Sequence, residues 1–262
     1  MSTKSGQARV PTTEEWQTLF NVIEKKRYPE KNAAIMHISH RLGLRVQEIA
    51  LLEIKEVAKL FGNPGSANRK FERFKVMALP ASITKGSNAT SKSTSRYIRK
   101  NISFSVSEFE KMLKHVIAVH DAGFPIDPTE FYPDVKKRSG KSRDLPMVKK
   151  DLCDALDRYL KLRLDKNLYL KPTDPLFITQ KGGPYTPNTL QEHMAMMLRD
   201  WAGIEKATSH SGRRTMITDI IHTQKKSIKI AQKLAGHKSA ATTVIYEEPP
   251  EEEMSEALKN LK

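Results

Sequence analysis

The sequence predicts a mainly α-helical protein with a small antiparallel β-sheet, and three observations carry that expectation. Apolar residues recur at helical spacing in one segment after another. Residues that start or stop helices stand at the ends of those segments. One stretch, residues 130–147 (EFYPDVKKRSGKSRDLPM), has the turn chemistry of a hairpin, with Ser139-Gly140 at its tip.

Residues 1–10 are polar and aperiodic, the pattern of a flexible tail. Thr12 followed by Glu15 forms a capping-box pattern, and Trp16, Leu19, Phe20 and Ile23 then repeat at helical spacing. A second helix is expected over 31–42, with Ala34, Ile35, Ile38 and Leu42 on one face and Gly43 as its stop; Arg45–Leu52 (RVQEIALL) begins a third. The character changes between about 57 and 128, where a Ser/Thr-rich stretch, SITKGSNATSKSTS, reads as a flexible loop before a helical pattern at 106–119. After the hairpin, Leu152, Leu156, Tyr159 and Leu160 form a stripe on a helix over about 149–164, where Cys153 is expected to pack. Thr186 and Pro187 suit the N-cap and first position of a helix carrying Leu190, Met194, Met197, Leu198 and Trp201, whose methionines are expected in the core. No internal repeat is visible.

Charge narrows the class of partner. The chain has 45 Lys+Arg against 30 Asp+Glu, a net charge of +15, which favours a polyanion because neutralised phosphates release condensed counterions. Ten of the basic residues lie between Lys59 and Lys100, with Glu72 the sole acid. That segment reads either as an arm tracking a DNA backbone, with Arg69, Lys70, Arg73 and Lys75 as its contacts, or as a solvated insertion. No run of about 18 apolar residues exists to span a bilayer, and the N-terminus lacks the apolar core of a secretory signal. Cys153 is the only cysteine, which excludes an intramolecular disulfide and fits a reducing, cytoplasmic setting. One cysteine, and histidines without ligand spacing, argue against a zinc protein.

Three short stretches carry chemistry: GLRVQE (Gly43–Glu48), HSGRRT (His210–Thr215) and GHKSAATTVIY (Gly236–Tyr246). His210 and Arg213 share a helical face, and Glu48 lies one turn beyond Arg45, placed to brace its guanidinium. Two arginines can clamp the non-bridging oxygens of one phosphate, because the planar fork suits that geometry. Histidines can donate or shuttle protons, and a tyrosine can attack phosphorus. Each residue alone has an ordinary structural reading; the constellation is what is specific.

Its order and spacing resemble the tyrosine recombinase (phage integrase) family over about residues 11–248. The family pattern is an Arg in a G-L-R-x-x-E turn, an H-x-x-R pair, a G-H box and a Tyr nine residues after that His. Arg45, His210, Arg213, His237 and Tyr246 occupy those positions, with Glu48 also matching. The resemblance implies the catalytic-domain fold of that family and strand cleavage without metal, ATP or any other cofactor. Tyr246 attacks the scissile phosphate to give a 3′-phosphotyrosyl link and a free 5′-hydroxyl, Arg45 and Arg213 stabilise the transition state, and His210 and His237 orient groups and assist proton transfer. The partners it implies are double-stranded DNA at a specific site, further copies of the chain in a tetramer, and accessory DNA-bending proteins.

The family also uses a hairpin lysine as general acid toward the leaving 5′-oxygen. Counting back from Arg143–Pro146 at the usual spacing lands on Arg138, which would be a poor acid. A turn one residue longer restores Lys137, the residue expected in that role, with Lys136 and Lys141 as alternatives. Arg214 stands where the family often has His. Most members carry an N-terminal helical clamp domain, whereas this sequence starts almost directly at the catalytic domain, and the basic 59–100 insertion is a candidate partial replacement. Residues 249–262 carry Met254, Leu258 and Leu261 on one face of an expected tail helix, exchanged between protomers or folded back on its own core. Two other readings stay open: a DNA-binding protein that keeps the fold without catalysis, and a related nicking-closing enzyme of the type IB topoisomerase kind.

Overall fold

The computed structural model describes residues 8–84, 105–123, 125, 141–246 and 258–259. Helix α1 (Thr13–Glu24) opens on the capping box read from the sequence. The Thr12 hydroxyl accepts from Glu15 N–H at 3.3 Å, and the Glu15 carboxylate accepts from Thr12 N–H at 2.8 Å. Its buried face is Trp16, Leu19 and Ile23. Helix α2 (Pro29–His37) packs along α5 (Lys150–Lys166) and runs into a π-helical turn, Ile38–Leu42, so the helix expected over 31–42 is two kinds of helix end to end. Gly43 closes it at φ 61°, a conformation open to glycine, with the Met216 side chain where a Cβ would point. Helix α3 (Val46–Ala50) follows at once.

The β structure among the described residues is two antiparallel ribbons and two isolated bridges, Glu53–Pro175 and Ile178–Pro184. Strand β1 (Ala58–Phe61) pairs with β2 (Lys70–Arg73), and β3 (Val76–Leu79) pairs with β4 (Arg143–Pro146) in the register Met77↔Leu145. The expected 130–147 hairpin falls outside the described residues up to Gly140. What is described of it, β4, finds its partner in β3. The first part of the basic 57–128 segment is likewise no appendage: Val57, Ala58, Met77, Leu79 and Ile83 belong to the main core. Single-face alternation is weak in strands of four residues, and β3–β4 pairing is non-local, so neither ribbon stands out locally in the sequence.

The remaining helices are α4 (Val106–Asp121), α6 (Pro187–Met196), α7 (Ser211–Thr218), α8 (Ile228–Ala235) and α9 (Ala241–Val244). Thr186 caps α6 and Pro187 is its first residue, as expected; Met194 and Met197 are fully buried, and Cys153 packs against the core with its thiol directed at the Met147 carbonyl. α4 buries none of its residues and leaves Phe109, Leu113 and Ile117 exposed. α6 and α7 also continue into five-residue π turns, Met197–Trp201 and Asp219–Thr223. No helix of the described residues is long and apolar enough to cross a membrane. Of the expected tail helix at 249–262 only Leu258 and Lys259 are described, and both are helical.

One core holds α1–α3, α5, α6 and the ribbons together. A second, smaller cluster of Met216, Ile217, Ile220, Ile221, Ala231 and Ala235 joins α7 to α8, and Tyr246 packs against it. Burial is also what makes three histidines acid-sensitive. His37 stacks on Phe20 and His40 on Trp16, and exclusion of water pulls them down to about 4 and about 3; burial lowers His193 to about 4. The unfolded chain takes up protons at these rings near pH 6.5 and the folded chain does not. Stability is therefore present above that pH and is lost as pH falls from 6.5 toward 4, by about 1.4 kcal/mol per pH unit for each histidine. Urea unfolding at pH 7 and pH 5 is expected to show the loss, with a shallower pH slope in His40→Phe, which keeps the stack. An unaltered slope in that variant places the acid sensitivity elsewhere.

Candidate active site

Arg45 is the N-cap of α3, and its backbone N–H donates to Glu48 Oε2 at 2.8 Å while its Nη1 donates to Glu48 Oε1 at 3.1 Å. Glu48 is wholly buried, so its charge needs partners. The second partner is Arg143 on β4, whose Nη2 and Nη1 donate to the two carboxylate oxygens at 2.7 and 3.2 Å. This bidentate pair fixes the carboxylate plane and, through it, the Arg45 guanidinium. Gly236 ends α8 at φ 65° and faces the Arg143 guanidinium, leaving no room for a Cβ.

Arg213 lies on α7 and is almost fully buried. Its Nη1 donates to the Gly43 carbonyl and its Nη2 to the Ala235 carbonyl, each at 2.5 Å. One side chain thus ties the residue that opens the first motif to the helix end that opens the third. Burial, and behind it the positive charge of Arg45, pull the Arg213 guanidinium down to about 9; Glu48 and Tyr246 act in the opposite sense and Arg143 in the same. These neighbours place Arg45, Glu48, Arg143, Arg213 and Tyr246 in one electrostatic group.

His237 follows the Gly236 turn. Its Nδ1 is 2.8 Å from the Thr243 hydroxyl, and its ring stacks on Tyr246 with centroids 5.9 Å apart. Tyr246 is half-buried one residue beyond the cap of α9, its N–H donating to the Thr243 carbonyl at 3.0 Å. The Arg214 guanidinium stands 5.7 Å from the Tyr246 ring centroid, and His222 Nε2 is 2.8 Å from the Tyr246 carbonyl oxygen. His210 caps α7 and is exposed, its N–H donating to the Thr208 hydroxyl. A recess of about 850 Å³ elsewhere, lined by Trp16, Phe20, His40, Met216 and Ile220 among others, includes none of these site residues.

The three motifs are thus brought together through Arg45, Glu48, Arg213, His237 and Tyr246. Lys137 and Lys136 lie outside the described residues, and Lys141 is exposed just before β4. The expected DNA contacts divide. The Arg69 guanidinium donates to the Leu168 and Leu170 carbonyls and is buried, and Arg73 Nε pairs with Asp157 at 2.9 Å. These bonds hold β2 to the protein itself. Lys70 and Lys75 are exposed. Sequence reasoning missed Arg143, Thr243 and His222 as site residues. What distinguishes Arg143, a buried carboxylate on a distant helix, is not a local signal.

Residues 90–253, more than half of the chain, match the phage integrase family, and the chain belongs to that family. Over 78 residues it is 41% identical to the tyrosine recombinase XerC of Methylobacterium sp. strain 4-46, a match covering 29% of this chain and 24% of that protein. Over 126 residues it is 26% identical to the tyrosine recombinase XerC of Agrobacterium fabrum, covering 46% of this chain and 38% of that one. The matched stretches therefore span about a quarter to two-fifths of these relatives. The fold is that of XerA recombinase (TM-score 0.58, 18% identity, 98% of this chain and 66% of that one). It is also that of the XerH site-specific recombinase in its pre-cleavage complex with difH substrate (TM-score 0.54, 17% identity, 99% and 56%).

Proposed function

We propose that this chain cuts and rejoins double-stranded DNA at a specific site, with Tyr246 as the nucleophile. The observation that carries the reading is that Glu48 holds Arg45 and Arg143 while Arg213 ties the Gly43 turn to the end of α8, where His237 stacks on Tyr246. Preorganised guanidinium groups stabilise the charge that develops on a pentacoordinate phosphate. Tyr246 attacks phosphorus, the 5′-oxygen leaves, and the phosphotyrosyl bond retains the energy that another strand's 5′-hydroxyl uses to reverse the step. His210 and His237 orient the phosphate and nucleophile, and the working unit on DNA is a tetramer. The test is to mix the protein with a nicked duplex carrying the DNA that flanks its gene, in EDTA, and look for a covalent adduct on a denaturing gel. DNA binding with no adduct favours a binder that has lost catalysis.

The general acid is assigned to Lys137. A 5′-bridging sulfur leaves as thiolate and needs no proton, so Lys137→Ala is expected to impair cleavage of ordinary DNA and spare the thio substrate. Rescue in Lys141→Ala instead shifts the acid across the turn; rescue in neither, nor in Lys136→Ala, puts it elsewhere.

Lys70 and Lys75 are proposed to contact the DNA backbone. Neutralising both is expected to flatten the slope of log K against log salt by about 0.9 for each lost contact. Arg69→Ala is expected to leave that slope alone and lower stability, because the buried Leu170 carbonyl loses its Arg69 donor and the Leu168 carbonyl loses one of two. An unchanged slope in the double lysine variant marks β2 and its following turn as outside the DNA footprint.

A further inference from the structure

We propose that His222 is a positioning residue that holds the nucleophile's main chain in place. The inference rests on the reading of Tyr246 as nucleophile. The ring sits on the π turn that continues α7, and its Nε2 lies 2.8 Å from the Tyr246 carbonyl oxygen. A carbonyl oxygen only accepts, so Nε2 carries the proton, and both the neutral Nε2–H form and the imidazolium make this bond.

The helix that carries His222 already organises the rest of the site. Arg213, further back on the same α7, donates to Gly43 and to Ala235, which fixes the segments leading to Arg45 and to His237. The segment bearing Tyr246 is the third to be fixed; its other anchors are the buried Thr243, bonded to His237 Nδ1, and the packing of the Tyr246 ring on the α7–α8 cluster, and none of them holds the Tyr246 carbonyl. α9 is four residues long, Val244 and Ile245 are exposed, and the ring contacts of Tyr246 with His237 and Arg214 constrain the side chain and not the carbonyl. The Tyr246 N–H and the Tyr246 carbonyl are thus held by different elements, α9 through Thr243 and the π turn after α7 through His222. Together they define the direction in which Cα–Cβ points and so where the phenolic oxygen lies. An ångström of displacement of a reacting atom costs on the order of a hundredfold in rate.

The π turn explains why a histidine nine positions beyond Arg213 can reach. A π turn adds a residue to its helix and rotates the residues beyond it, so a side chain that would otherwise lie on another face is turned toward the chain end. Sequence spacing in units of 3.6 does not find it.

The experiment compares His222→Gln, which keeps an N–H donor on a side chain of similar reach, with His222→Met, which has the same length and no donor; both residues favour helix. Two readouts are needed. Amide exchange of the free protein over Thr243–Tyr246 is expected to quicken about tenfold in the Met variant and stay near the parent in the Gln variant. Single-turnover adduct formation on the nicked duplex, at saturating DNA, is expected to fall at least about tenfold for Met and recover for Gln, with unchanged DNA affinity and melting temperature. Equal behaviour of the two variants in exchange and rate, whether both intact, both impaired or both unfolded, overturns the proposal, because the donor is then not what matters. If Tyr246→Phe still forms adduct the nucleophile is another residue, and the exchange comparison alone still decides whether His222 anchors this turn.

Discussion

Tyr246→Phe is expected to bind DNA as the parent does and to form no covalent adduct. The substitution is unusually clean at this position. The ring keeps its stack on His237 and its place beneath the Arg214 guanidinium, since both contacts are made to the ring face. The main-chain bonds of Tyr246 to Thr243 and His222 do not involve the phenol. The small cluster formed by α7 and α8 keeps the same packing partner. Fold, melting temperature and affinity are therefore expected to stay put while the attacking oxygen alone is removed, and the loss of adduct is complete and not graded. Adduct in this variant means that another side chain attacks, and a fall in melting temperature means that the hydroxyl serves the fold.

Arg213→Lys is expected to lower the cleavage rate by at least about a hundredfold. An arginine has five N–H donors, and here two of them are committed to the Gly43 and Ala235 carbonyls, leaving the others for a phosphate. A lysine ammonium is one point with three donors and cannot span two carbonyls and a phosphate in the same plane. The variant thus loses transition-state contact and also loosens the link between the Arg45 turn and the His237 turn. Both effects appear in single-turnover rates at saturating DNA, while the second also appears as a lower melting temperature. Near-parental cleavage by Arg213→Lys would remove Arg213 from the phosphate site.

What could be read from the sequence was what is local. The Thr12–Glu15 box, the Gly43 stop and the Thr186-Pro187 start depend on neighbours within one turn of helix, and each stands where the spacing placed it. The Arg45, Arg213, His237 and Tyr246 constellation was legible because a fixed order and spacing carries it. Arg69 was not: a basic residue in a basic stretch looks solvated until Leu168 and Leu170 are brought beside it. Arg143 was missed for the same reason, since its partner lies on α3. His222 depends on a π turn, which breaks the periodicity by which helical faces are read.

Glu48 has a consequence for the whole molecule. Two guanidinium groups, those of Arg45 and Arg143, share the Glu48 carboxylate, and a third, that of Arg213, lies close enough to feel their charge in a place largely closed to water. The site therefore carries an excess of two positive charges with no protein counter-ion among these groups. On the proposed function a phosphodiester, with one negative charge, offsets one of the two, and DNA binding is expected to raise the melting temperature of the domain as well as present the substrate.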